Sequence, residues 1–323
     1  MKLLGLQIPN YTFPGVGNDR LFEHVAMLAK TAENAGFDSV FVMDHFYQLP
    51  NIGPSSDPML EGYTVLGGIA ARTSKVRLAT LVTGNTYRNP AMLAKIVTTL
   101  DIVSAGRAIC GVGAAWNEEE HRAYGFEYPP VGERISRLEE ALQILRGMLR
   151  EERTTFDGRF YHVKDAMNFP RPVQPQGVPI MVGGGGEQRT LKLVAKYADM
   201  SNFFGDPATF RHKLDVLEKH CQDVGRDPNT IVKTRLGSLL IRKTDAEAER
   251  LFDQLLTRRG VNKDWARAGF IVGGPDTVAE KAQELLDAGL DGLIFNMPHL
   301  EDPEAIELAG KTLSRLGQPA GVR

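Results

Sequence analysis

Two cysteines, Cys110 and Cys221, are all that 323 residues contain. That excludes a disulfide framework and a thiolate metal cluster. Charge of either sign is not in excess: 38 Lys and Arg stand against 40 Asp and Glu. The basic residues are scattered rather than striped, so there is no footprint for nucleic acid or for an anionic membrane surface. No apolar run approaches the length of a membrane span. The first such run, Leu3 to Ile8, is halted by Pro9 and Asn10. It is too short for a signal sequence and reads as a strand, which makes the cytoplasm the expected location. Metal-ligand spacing, a nucleophile elbow and a Ser-His-Asp pattern are missing as well, so hydrolysis by those routes has no support.

What is present is ordinary globular material, 42% hydrophobic and 24% charged, ample for a core. Short apolar runs alternate with longer amphipathic segments. Leu3–Ile8, Ser39–Met43, Val76–Val82, Ala108–Val112, Pro179–Val182, Met200–Phe204, Ile231–Ile241 and Leu293–Met297 read as strands. Leu21, Phe22, Val25, Leu28, Ala29 and Ala32 share one helical face that ends at Gly36. Asn89-Pro90, Asp206-Pro207, Pro275-Asp276-Thr277 and Asp302-Pro303 look like helix starts, with stops near Gly225, Gly289 and Gly317. Eight strands alternating with helices imply parallel pairing buried on both faces. The economical closure is a single (β/α)₈ barrel spanning residues 1–323; an open doubly wound sheet is the competitor. Two stretches break the rhythm. Arg153–Gln176 reads as a hairpin inserted before strand five, and Thr257–Gly274 as a loop inserted after strand seven.

In a barrel the site lies where strands end. Gly183-Gly184-Gly185-Gly186 follows a strand directly and precedes a helix expected from Glu187. Glycine backbone and a helix N-terminus together suit a phosphate, although a flexible turn would use the same residues. No Lys-Ser/Thr pair follows, so this is not a nucleoside-triphosphate loop. Gly111-x-Gly113 is half a dinucleotide fingerprint, and reads as backbone passing close to a flat ligand. Asp44-His45, after strand two, is the acid–base candidate, the carboxylate being placed to fix the histidine tautomer. A satisfied structural histidine is the competing reading. Trp116 could stack on a ring or plug the mouth. Glu118, Glu119 and Glu120 read as a solvated first helical turn.

These motifs resemble those of the luciferase-like monooxygenase superfamily, in particular its branch that uses the deazaflavin coenzyme F420. The resemblance runs end to end through Gly5–Asn10, Val42–Phe46, Leu81–Pro90, Gly111–Glu120 and Val182–Glu187. It implies a cofactor ring across the barrel mouth, with a non-prolyl cis peptide near Leu81–Val82 supporting it. It further implies cofactor contacts from Leu81, Val82, Thr83, Ala114, Ala115, Trp116, Asn117, Gly183, Gly184, Gly185, Gly186 and Glu187, and proton transfer by His45 or Asp44. The implied reaction moves a hydride between F420 and a small unsaturated or carbonyl compound, in a homodimer. A reduced-FMN monooxygenase and a non-catalytic cofactor-binding sensor are the alternatives. In sugar-phosphate dehydrogenases of this fold a catalytic glutamate follows strand four; this chain has Trp116 there, which argues against sugar-phosphate oxidation.

Overall fold

The computed structural model describes residues 3–259 and 263–316. Each half-unit begins with a largely buried strand and returns through a helix. β1 (Leu3–Ile8) leads into α1 (Asn18–Ala35), whose buried stripe is Leu21, Val25, Leu28, Ala29 and Ala32. Gly36 ends that helix at φ 95°, a left-handed turn that glycine adopts without a Cβ penalty. β2 (Ser39–Val42) and α2 (Gly62–Arg72) follow, Glu61 capping α2 by accepting from Thr64 N at 2.7 Å. The expected third strand is split into β3 (Arg77–Thr80) and β4 (Thr83–Gly84), interrupted by a cis peptide at Leu81–Val82. Asn89 and Pro90 then start α3 (Pro90–Val103) as the sequence indicated.

β5 (Cys110–Gly113), α4 (Glu118–Tyr124) and α5 (Val131–Arg150) precede an antiparallel hairpin, β6 (Arg153–Asp157) with β7 (His162–Met167). The hairpin lies outside the barrel, where the insertion before strand five was expected. β8 (Ile180–Gly183), α6 (Thr190–Tyr197), β9 (Met200–Phe203) and α7 (Pro207–Asp223) continue the alternation. The helix expected from Glu187 begins at Thr190, because residues 187–189 form a turn first. β10 (Val232–Ile241), α8 (Asp245–Arg259), α9 (Lys263–Arg267) and β11 (Phe270–Gly273) come next. They are followed by α10 (Pro275–Asp287), β12 (Gly292–Asn296) and α11 (Pro303–Leu313). Helix stops fall at Gly225 and Gly289, both at positive φ; Gly317 lies outside the described residues.

Strands pair in the order β3-β2-β1-β12-β10-β9-β8-β5-β4, all parallel. Leu78 N donates to Arg107 O and Ile109 N donates to Leu78 O, each at 2.9 Å, joining β3 to the β5 segment and closing the ring. Inside it, Leu3, Phe41, Ala79, Ile109, Met181, Met200 and Ile294 form a separate apolar plug. The larger core lies between the ring and the helices.

One expectation needs correction. The stretch after strand seven is not a plain loop: it continues α8, adds α9 and returns as the parallel strand β11 beside β10. Its apolar run Phe270–Val272 is too short to carry a periodicity, and Phe270 packs on Phe252 of α8 with ring centroids 5.2 Å apart. β10 is long enough to change partners. Val232–Arg235 pair with β9 and Ser238–Ile241 with β11, on the edge away from β12. The sheet therefore forks at Leu236–Gly237.

Candidate active site

At the barrel mouth, in ring order, stand His45 after β2, Leu81–Val82 after β3, Ala114–Asn117 after β5 and the glycine loop after β8. The other arc carries Phe204–Asp206 after β9, the fork in β10, Asn296 at the end of β12 and Asn10 after β1.

His45 is held by a carboxylate that reading the sequence assigned to solvent. Glu120 is completely buried. Its Oε1 accepts from Phe46 N at 2.6 Å and Tyr47 N at 2.9 Å; its Oε2 meets His45 Nδ1 at 2.8 Å and accepts from Tyr87 Oη at 2.9 Å. Burial alone would raise its pKa, but the bonds from His45, Tyr47 and Tyr87 hold it below the usual carboxylate range. An ionised Glu120 accepts, so the neutral His45 tautomer that fits carries its proton on Nδ1 and presents a lone pair at Nε2. Among the described residues Nε2 has no hydrogen-bond partner. Asn117 caps α4 and thereby fixes which of three consecutive glutamates turns inward. The Asn-x-x-Glu spacing was the available signal.

Asp44 sits elsewhere. Its two oxygens take a bidentate contact from Arg88, at 2.6 and 3.0 Å, and Arg88 also reaches Glu61 at 2.6 Å. Burial raises the Asp44 pKa while the guanidinium opposes it. Asp44 thus ties β2 to the start of α3 and the cap of α2.

The glycines of β5 serve the chain itself. A Cβ on Gly111 would stand 2.2 Å from Thr80 O, and one on Gly113 or Gly183 would stand 2.9 or 2.7 Å from Val82 Cγ2. They make room for the Leu81–Val82 turn rather than for a flat ligand. Thr83 Oγ1 is occupied by Tyr63 Oη at 2.7 Å and Thr80 Oγ1 at 2.8 Å. Ala115 is left-handed at φ 59°, and Trp116 is exposed with its ring edge toward His45, centroids 5.5 Å apart.

In the glycine loop, Gly184 adopts φ 123° and its N–H bonds Asn202 O at 2.9 Å. The amides of Gly185 and Gly186 have no partner among the described residues, and Lys213 Nζ donates to Gly185 O at 2.5 Å. Two open amides beside an ammonium form a cradle that suits a phosphate. Glu187 shares that ammonium: its Oε1 lies 3.6 Å from Lys213 Nζ and 3.2 Å from His212 Nε2.

The second arc encloses a pocket of about 620 Å³ lined largely by Phe204, Leu236, Leu255, Leu256, Phe270 and Met297. Buried Asn10 Oδ1 on its wall lacks a donor among the described residues, whereas Ser238 Oγ and Asn296 Oδ1 satisfy each other at 2.8 Å. Arg235 lines it too. Neither Arg235 nor Glu120 was recognised from sequence.

The family model for luciferase-like monooxygenases matches residues 5–292. The chain belongs to this family. A relative in Microbacterium testaceum is named F420-dependent glucose-6-phosphate dehydrogenase. It is 30% identical, over 87% of this chain and 89% of its own length. Among solved structures, F420-dependent tetrahydromethanopterin reductase from Methanopyrus kandleri superposes with TM-score 0.75 at 23% identity, covering 96% of this chain and 98% of that one. EDTA monooxygenase from a Chelativorans species gives TM-score 0.82 at 18% identity, covering 97% and 92%. These two show the barrel fold and no more.

Proposed function

We propose that the chain is an oxidoreductase that binds coenzyme F420 across the first arc of the mouth and reacts it with a small organic substrate in the second. The observation that carries this reading is the near full-length match to an F420-dependent relative, on a rim whose open Gly185 and Gly186 amides fit the cofactor phosphate. When bound, the deazaflavin supplies a two-electron hydride carrier. The protein's own part is positional and protolytic. The glycine loop and Lys213 anchor the phosphate, and Leu81–Val82 with Ala114–Asn117 border the ring. His45 Nε2, its tautomer set by Glu120, gives or takes the proton that accompanies the hydride. Asp44 serves by holding Arg88. The largely apolar pocket favours a substrate other than a polyhydroxylated sugar, and its volume favours an enzyme over a cofactor-binding sensor. We read residues 1–323 as one domain in a cytoplasmic homodimer. Two free, buried thiols support the compartment; the exposed apolar residues Met92, Ile102 and Val103 of α3, near Phe169 and Val173, support the dimer.

Fluorescence titration decides the cofactor. F420 should bind more tightly than oxidised FMN; the reverse order transfers the protein to the flavin monooxygenases. A folded Gly185→Val variant should lose much of its F420 affinity, because the side chain shields the open amides. Sedimentation velocity reads the oligomeric state.

A further inference from the structure

Among the described residues, Arg235 is a buried charge without a counter-ion. It is 6% exposed. Its Nε is fully enclosed and unpartnered, and its one hydrogen bond, Nη2 to Gly269 O, is long at 3.4 Å. Burial pushes its pKa down to about 10, with no acidic group acting on it. Among the described residues, the single acidic one on the pocket wall is Asp206, and it is engaged in capping α7, where Oδ1 accepts from Thr209 N at 2.7 Å. Isolated buried cations are costly and rarely kept without a partner.

Its placement is specific. Arg235 is the last residue of β10 to pair with β9, opposite Phe203, immediately before the fork. The guanidinium lies across Gly237, where a Cβ would come within 2.3 Å of Nη2. It reaches toward Gly269 at the foot of β11. The strand that opens the fork, the glycine that gives the side chain passage and the insertion that walls the space all converge on one guanidinium. The remaining wall is mostly apolar.

We infer that Arg235 is the head-group site of the substrate pocket, and that the substrate is a small amphipathic acid: an apolar body ending in one carboxylate or phosphate. This rests on the oxidoreductase reading only in calling the occupant a substrate. A planar guanidinium offers two parallel N–H bonds to either oxyanion. The ligand would supply the counter-charge that the protein withholds, while Leu236, Leu255, Leu256 and Phe270 take the body. Arg235 is thus a specificity-determining residue, with the proton left to His45.

Three probes share one apolar body: 4-phenylbutyrate, 4-phenylbutyl phosphate and neutral 4-phenylbutyramide. Calorimetry on F420-loaded protein should show at least one anion binding about tenfold or more tighter than the amide, a difference typical of a charge-assisted bidentate contact. The tighter anion names the head group. Arg235→Met and Arg235→Gln should erase that preference while leaving amide affinity unchanged; Arg235→Lys should restore part of it. Melting of the cofactor-free protein gives a second reading. Arg235→Met should melt at or above the wild type, since an unpaired buried charge is removed. Equal binding of acid and amide to the wild type overturns the inference, as does an anion preference that survives in Arg235→Met. A fall of several degrees in melting temperature for both the Met and Gln variants assigns Arg235 a structural role and also overturns it. F420 affinity is titrated separately. Arg235-dependent anion binding without F420 binding would sink the cofactor reading alone.

Discussion

His45 keeps one ring nitrogen open because Glu120 occupies the other. If the two act as a unit, His45→Gln should lower turnover by roughly 10²–10⁴-fold. Glu120→Gln should cost a large part of that, since an amide at Oε2 no longer demands a proton on Nδ1. The double variant should be no worse than His45→Gln alone. Multiplying effects would mean the residues act independently. Asp44 separates from this pair. Asp44→Asn breaks a buried bidentate contact with Arg88 and should cost about 3–5 kcal/mol of stability, leaving the pH–rate profile of the remaining folded enzyme unchanged. A shifted profile would return Asp44 to the proton chemistry. The sequence made His45 legible through its place after a strand. It concealed Glu120 inside a run of three glutamates, where helix register, set by the Asn117 cap, decides which one is buried. Arg235 was concealed too: a single arginine in the strand Val232–Ile241 belongs to no motif, and its isolation shows only in the packing.

Elements were legible where one rule sufficed. Amphipathic stripes, Asn-Pro and Asp-Pro starts and glycine stops located the main helices, since each depends on neighbours within a turn or two. β11 was not legible, because four residues have no period and their burial comes from Phe252 on another element. Contacts between elements are likewise silent in sequence, and Glu33 is an example. From α1 it reaches the turn before β3, where its Oε2 accepts from Ser74, Lys75 and Val76 N at 2.8, 2.6 and 3.2 Å. Burial would raise its pKa, yet Lys30 and these three amides hold it down at about 2, against an ordinary value of 4.5. A depressed carboxyl contributes stability above its unfolded value and loses it as pH falls through the folded one. Glu33→Gln should therefore cost about 2 kcal/mol at neutral pH. The gap from wild type should narrow below pH 4.5 and close near pH 2. A gap that stays constant across that range would show that shape, not charge, holds the turn.

At the scale of the molecule, closure was legible by counting strands, but the seam that closes the ring was not. Along β5 the ladder is broken in two: β3 offers only Leu78 and its two backbone bonds, with Arg107 and Ile109, and pairing resumes past the Leu81–Val82 peptide, where β4 sets Thr83 against Val112 and Gly84 against Gly113. Side chains compensate there. Asp101, completely buried at the end of α3, accepts from Ala108 N at 3.3 Å, Val173 N at 2.8 Å and Gln174 Nε2 at 2.7 Å. Gln174 Nε2 also donates to Ala108 O at 2.9 Å, and its Oε1 accepts from Arg77 at 3.3 Å. The chain leaving the inserted hairpin is thereby pinned across the interrupted joint of the barrel, 73 residues from its partner in sequence. Pattern reading has no access to a contact of that range. Asp101→Ala strands several buried donors and should destabilise the protein by about 2–4 kcal/mol. The loss should also be local before it is global, because a joint with few ladder bonds opens at lower free energy than the continuous sheet. Native-state hydrogen exchange tests this directly. The amides of Leu78 and Ile109 should accelerate well beyond those of Leu6 and Ile294, on the continuous β1–β12 side of the ring. Uniform acceleration at all four would mean that the barrel unfolds as one unit and that Asp101 and Gln174 guard no particular seam.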